Sequence, residues 1–149
     1  MAGPALSLKS QALRLLARRE HSRLELQQKL LAHADSPKAL QLVLDELQAK
    51  GLINEQRVLE SVLYRKAGKF GAARVRQELQ AKGLPESDVQ RATHELRATE
   101  LDRARSVWQK KFGAPAQTPQ ERAKQLRFLA SRGFAAEVLR RVVSGVDDD

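Results

Sequence analysis

The stretch GLINEQRVLESVLYRKAGKFGAARVRQELQAKGL, residues 51–84, decides the fold of this chain. Val58, Leu59, Val62 and Leu63 recur at helical spacing, and Asn54 stands where an N-cap belongs. Gly68 and Gly71 interrupt the pattern, and Val75 and Leu79 resume it until Lys82 and Gly83 end it. A helix, a short glycine-bracketed turn and a second helix are predicted. From residue 61 to residue 77 there is no acidic side chain, whereas Arg65, Lys66, Lys69, Arg74 and Arg76 all fall there. One sign of charge on a helix–turn–helix unit predicts a surface that meets a polyanion.

Upstream, Leu13, Leu16 and Ala17 mark a first helix, with Arg14, Arg18 and Arg19 on its other faces. Ser22 followed by Glu25 reads as a capping box, and Leu26, Leu30 and Leu31 as the buried stripe behind it. After a break at residues 33–35, Ser36 and Pro37 open a third helix with Leu40, Val43, Leu44 and Leu47 on one face. Gly51 closes it as a left-handed C′ residue. Downstream, Pro85 begins a helix with Val89, Ala92 and Leu96 inward, and Leu101, Ala104, Val107 and Trp108 make the next. A loop at residues 113–117 leads to a second capping box, Thr118 and Glu121 around Pro119, and then to Leu126 and Leu129. Gly133 ends that helix, and Val138, Leu139, Val142 and Val143 form the last. Asp147, Asp148 and Asp149 read as a frayed acidic tail.

The segments overlay. SRLELQQKL (22–30) matches GAARVRQEL (71–79), and LQAKGL (79–84) matches LASRGF (129–134), at offsets of 49 and 50 residues. A period near that length in an all-helical pattern predicts an all-α, elongated tandem array of three three-helix repeats. The repeats are expected at 1–50, 51–98 and 99–146, with the tail at 147–149.

The chain has 149 residues, and 27 basic against 18 acidic side chains leave a net charge of +9. Its pI is about 10.4. The excess is spread over all three repeats and favours an acidic partner, although the same cations could simply solvate helix faces. There is no cysteine, so thiolate chemistry is excluded and a reducing cytoplasm fits. No segment approaches the ~20 apolar residues of a membrane span. The N-terminus lacks the order of charge and apolar core of a signal peptide.

Catalysis finds little support. His21, His33 and His94 have no ligand spacing, and no metal or other cofactor is expected. Glu20 with Glu25, and Asp45 with Glu46, read as cap and surface carboxylates. The glycines of GKFG (68–71) follow no strand and lack the Lys-Ser/Thr ending of a nucleotide loop.

Three groups of residues resemble the RecX regulatory proteins of bacteria. The first is LLARREHSRLELQQKL (15–30). The second is the 51–84 block, with Gly51, Leu52, Asn54, Arg57, Arg65, Gly71, Arg74, Gln77, Glu78, Leu79, Lys82 and Gly83 in the family's order. The third is the Arg132-Gly133-Phe134 turn. The chain departs from the pattern at Val58 and His21, where the family often carries aromatics, and its first repeat lacks the Lys-Gly turn. The resemblance implies a non-enzymatic protein without a cofactor that binds the RecA recombinase filament on single-stranded DNA. It would lie in the filament groove and restrain ATP hydrolysis, strand exchange and coprotease activity, and so act in DNA repair, recombination and the SOS response. A cytoplasmic monomer that binds bare single-stranded DNA only weakly is expected.

With that resemblance, Arg65, Lys66, Lys69, Arg74, Arg76 and Lys82 form the main expected contact set. Arg14, Arg18 and Arg19 extend it, unless Glu20 and Glu25 pair with them. Lys110, Lys111, Arg122, Lys124 and Arg127 make a second acid-poor patch. If about six single-strand phosphates were neutralised, log K would fall with log salt at a slope of about −4. Trp108 and Phe112 read as core, while Tyr64 and Phe70 beside the basic turn could stack on bases. The alternative is a sequence-selective or architectural helical protein acting on bare DNA; a scaffold for an acidic protein is the third class.

Overall fold

The computed structural model describes residues 6–145. Among them the chain forms nine α-helices and one 3-10 turn, and no strand. The helices are α1 (Leu8–Arg18), α2 (Arg23–Leu30), α3 (Pro37–Ala49), α4 (Glu55–Lys66), α5 (Ala72–Ala81), α6 (Glu86–Ala98), α7 (Glu100–Lys111), α8 (Pro119–Ser131) and α9 (Ala136–Ser144). The expected acidic tail at Asp147–Asp149 lies outside the described residues. No described helix is long and apolar enough to cross a membrane.

The helix ends follow local chemistry. Ser22 Oγ accepts from the Glu25 N–H while Glu25 Oε1 accepts from the Ser22 N–H, both at 3.1 Å, so the capping box is complete. Ser36 accepts from the Ala39 N–H at 3.1 Å, and Asn54 Oδ1 from the Arg57 N–H at 3.0 Å. The second box is only half formed. Thr118 accepts from the Glu121 N–H at 3.1 Å, but the Glu121 carboxylate reaches back to the Gln117 N–H at 2.7 Å. Gly83 and Gly133, fifty residues apart, share the left-handed backbone that ends a helix, at φ 72° and 85°.

The chain forms two compact units, one up to Ser61 together with Ala81–Leu84, the other Val62–Gln80 with the chain from Pro85 onward. The division falls inside α4. The first unit is built on Leu26, Leu30, Leu40, Leu44, Leu47 and Ile53, with Ala12 of α1 beneath them and Leu8, Leu15 and Leu16 at the margin. The α1 stripe thus runs through Ala12, one turn from each of Leu8, Leu15 and Leu16, and Leu13 is 38% exposed. Leu31 is also outside, at 47% exposure, because α2 stops at Leu30 and the 3-10 turn Leu31–His33 turns the chain away. The second unit is centred on Ala104, Leu129, Phe134, Leu139, Val142 and Val143. Val107, Trp108, Leu126, Phe128 and Val138 pack around them.

Two titratable groups lie inside the first unit. Burial alone would raise the Glu25 pKa. Hydrogen bonds from Arg19, from the Ser22 N–H and from Lys82 outweigh it and bring the carboxyl down from 4.5 to about 2. A carboxyl depressed in the folded state contributes stability that is present above pH 4.5 and lost as pH falls towards 2. The full shift corresponds to ~3 kcal/mol, which screening at the half-exposed Arg19 reduces to roughly 2. Urea denaturation across this window should show that loss in the parent chain and a flatter profile in Glu25→Gln; parallel profiles would rule the ion pairs out as contributors. His21 is buried, with Nδ1 3.1 Å from the Arg19 carbonyl and Nε2 3.0 Å from Lys29 Nζ. The ammonium donates to Nε2, so Nδ1 carries the proton and donates to the carbonyl. Burial in this cationic pocket lowers the imidazole pKa.

Candidate nucleic-acid interface

The basic turn between α4 and α5 is held from several sides within the second unit. The Lys69 and Phe70 N–H groups both donate to the Lys66 carbonyl at 3.0 Å. Arg103 of α7 donates from Nη1 to the Ala67 and Phe70 carbonyls and from Nη2 to the Leu96 carbonyl, each at 2.6 Å. One guanidinium thereby satisfies carbonyls at the ends of two helices and in the turn. At the start of α5, the Ala72 N–H donates to the buried Glu100 carboxylate at 2.8 Å. Gly71 occupies the position that Ser22 holds before α2. It has no room for a side chain, because an added Cβ would sit 2.2 Å from the Gly133 carbonyl oxygen. The cap that Ser22 supplies locally comes here from a residue 28 positions away.

Around this turn cations and rings alternate. The Arg74 guanidinium lies 4.1 Å from the Phe70 ring centroid and Lys66 Nζ lies 5.1 Å from it. Arg132 stands between two rings, 5.2 Å from Phe70 and 5.1 Å from Phe128. Lys111 Nζ is 5.3 Å from Phe128, and Phe112 meets Phe128 edge-on at 5.5 Å. Each exposed cation–ring contact contributes only about 0.5–1 kcal/mol, so the rings orient the charges more than they stabilise the fold. Arg74 is further fixed by donating to the Ser131 carbonyl at 2.8 Å. Among the described residues no carboxylate pairs with Lys66, Lys69, Arg74, Lys110, Lys111 or Arg132. Glu78 lines a cleft with Lys66 and Arg74 without pairing to either, and cations that outnumber the carboxylates among them raise the local potential and draw in a polyanion.

The structure thus brings Lys66, Lys69, Arg74, Lys110 and Lys111 of the expected set into one neighbourhood. It commits others elsewhere. Arg19 and Lys82 both pair with Glu25, at 2.9 and 3.1 Å, and Lys82 is nearly covered. Arg76 lies 3.6 Å from Glu86, its Nε buried without a hydrogen-bond partner. Arg14 and Arg18 line a separate open cleft of about 500 Å³ in the first unit, with Lys29 and His33. Arg122, Lys124 and Arg127 are exposed on α8, as Arg65 is on α4. Tyr64 is 92% exposed. Phe70 differs from the stacking platform expected of it, since its ring carries three cations. Trp108 is a core residue as read: Nε1 donates to the buried Gln125 at 2.9 Å, and Gln125 donates to the Ala114 carbonyl at 3.1 Å. Arg132 enters the sequence reading only as part of the Arg132-Gly133-Phe134 turn and not as a contact residue, and Arg103 and Glu100 are not singled out there at all. Arg132 carried a hint in its position beside Gly133, fifty residues after Lys82, whereas nothing near Arg103 or Glu100 announces which carbonyl or N–H each will meet. No group of three metal-ligating side chains occurs among the described residues.

Sequence models of the first, second and third three-helix domains of RecX match residues 9–47, 54–92 and 98–143. The chain is 49% identical over 146 residues to the regulatory protein RecX of Leptothrix cholodnii, spanning 98% of this chain and 93% of that protein. It is 42% identical to that of Ralstonia pickettii, over 96% of this chain and 90% of the relative. In fold it is similar to the crystal structure of a regulatory protein RecX, with a TM-score of 0.72 at 21% identity over 98% of this chain and 83% of the other. The crystal structure of RecX from Lactobacillus salivarius superposes with a TM-score of 0.70 at 15% identity, over 93% of each chain. All three repeats are accounted for in order, and the chain belongs to the RecX family of regulatory proteins.

Proposed function

We propose that this protein binds the RecA filament assembled on single-stranded DNA, lies in its groove, and slows ATP hydrolysis, strand exchange and coprotease activity. The observation that carries the reading is the whole-length similarity to proteins named regulatory protein RecX, at up to 49% identity among those described above. The uncompensated cations around Phe70 support it, because a filament on DNA offers phosphate to such a cluster. In this reading the protein acts as a cytoplasmic monomer, needs no cofactor and performs no chemistry of its own. The repeats 1–50, 51–98 and 99–146 serve as its binding modules, and repair, recombination and the SOS response are the processes it restrains.

The test is ATP hydrolysis by the recombinase of the same organism on single-stranded DNA. Added well below one protein per recombinase subunit, this chain should lower the steady-state rate severalfold. A rate unchanged at every ratio would sink the regulator reading. Tight, sequence-selective binding to naked duplex, with no effect on the filament, would favour the alternative of a DNA-binding protein acting alone.

A further inference from the structure

Beside the basic turn opens a cleft of about 410 Å³, with Lys69, Lys110, Lys111 and Arg132 around it and Phe128 as an apolar wall. Gly68 lines the same cleft. Nothing in the protein requires glycine there. Its backbone is not in the left-handed region, and a Cβ added to it would meet no atom within 4 Å. Gly71, three residues on, is boxed in by the Gly133 backbone. Glycine at an open position on a cleft wall keeps the backbone approachable by something outside the chain.

The chemistry of the lining narrows what that is. The polar side chains facing the cleft are ammonium and guanidinium groups, which donate hydrogen bonds and accept none. An acidic peptide would bring its own N–H groups and find no side-chain acceptor for them. A phosphodiester brings acceptors only, and its charge strengthens each bond it accepts. The Phe128 ring already carries Lys111 and Arg132, so it serves as an apolar wall between charges and not as a stacking platform. A sugar or the edge of an unstacked base fits against it; a duplex, whose bases stay stacked inward, would leave it uncovered. Arg132, held between Phe70 and Phe128, is oriented before any ligand arrives.

We propose that this cleft is the subsite that takes the backbone of single-stranded nucleic acid, the strand passing over Gly68. The inference deepens the function proposed above by assigning one part of the interface to the strand, and its test needs no recombinase.

The full chain is titrated into a fluorescently labelled thymidine oligonucleotide over a range of salt, and anisotropy is followed. Lys110→Gln with Lys111→Gln should reduce the magnitude of the salt slope by about 1.4, two phosphate contacts at ~0.7 each. Gly68→Val should weaken binding by roughly tenfold and Gly68→Ala by roughly threefold, through loss of close approach. Gly68→Ala should leave the thermal midpoint unchanged or slightly higher, which separates a ligand effect from a folding one. The proposal is overturned if the parent chain fails to bind the oligonucleotide at low ionic strength, or if affinity and slope ignore these substitutions. It is equally overturned if a glutamate-rich peptide or a duplex is preferred over the single strand. A chain that inhibits the recombinase while its strand binding ignores Gly68→Val keeps the regulator reading and loses the cleft. Strand binding that depends on Gly68 without any inhibition keeps the cleft and loses the regulator reading.

Discussion

Gly71→Ala should destabilise the protein by ~3–4 kcal/mol, one of the largest single-methyl effects a core tolerates without unfolding outright. The added Cβ would lie 2.2 Å from the Gly133 carbonyl oxygen, 2.4 Å from its carbon and 2.5 Å from the Phe134 nitrogen. All three are backbone atoms, so no side chain can swing aside. The opposing turn is packed as closely in return. Gly133 holds φ 85°, and its own Cβ position lies 2.5 Å from the Arg74 Cβ. Moving the turns apart would also break the bond from the Gly71 N–H to the Arg132 carbonyl, 2.7 Å long, leaving a buried donor unpaired at a further ~1–3 kcal/mol. Urea denaturation read by circular dichroism tests this directly. The contrast with Gly68→Ala sharpens it, because there the same methyl enters open space. A loss below ~1 kcal/mol at Gly71 would show that the two turns are not packed backbone to backbone.

Arg103→Leu should cost ~3–5 kcal/mol for a different reason, the loss of donors without loss of volume. Three carbonyls, of Ala67, Phe70 and Leu96, depend on one guanidinium. A charged hydrogen bond contributes ~1.5–3 kcal/mol, and its full removal leaves partly buried acceptors facing an apolar side chain. Arg103→Lys should recover about half, because an ammonium is a point donor and cannot reproduce the planar fork that reaches both helix ends and the turn. Amide exchange at the first turn of α5 and at residues 67–70 should accelerate in both variants ahead of the α8–α9 core. If exchange rises uniformly instead, Arg103 stabilises the unit as a whole and not the turn. A loosened turn would also disperse Lys69, Phe70 and Arg74, so strand binding should fall in step with local exchange.

These two residues mark where sequence reasoning stops. The helical stripes through Leu40, Leu44 and Leu47 or Val89, Ala92 and Leu96, the cap at Ser22 and the glycine stops at Gly83 and Gly133 rest on interactions within about four residues, as does the α-helix itself. They were legible from the chain, and their spacing carried the triplicate all-α fold. The density of cations near residues 65–76 was legible too, because charge is a property of composition. The misreadings of Leu13 and Leu31 were also local: each is apolar and near the right phase, and only packing chose Ala12 or ended α2 at Leu30.

The identity of the uncompensated cations was decided by the tertiary structure. Lys82 looks as free in sequence as Lys69, yet it meets Glu25 far upstream, while Lys69 lines an open cleft with Lys110, Lys111 and Arg132. Phe70 looks like a base platform until Arg74 and Arg132 close over it. Coulomb and hydrogen-bond partners are chosen by distance in space, which no periodicity encodes. The amino-acid order by itself determined the helices, their repetition and the sign of the surface. Folding decided which charges cancel, because only it brings Gly71 against Gly133 and Arg132 between two rings from different repeats.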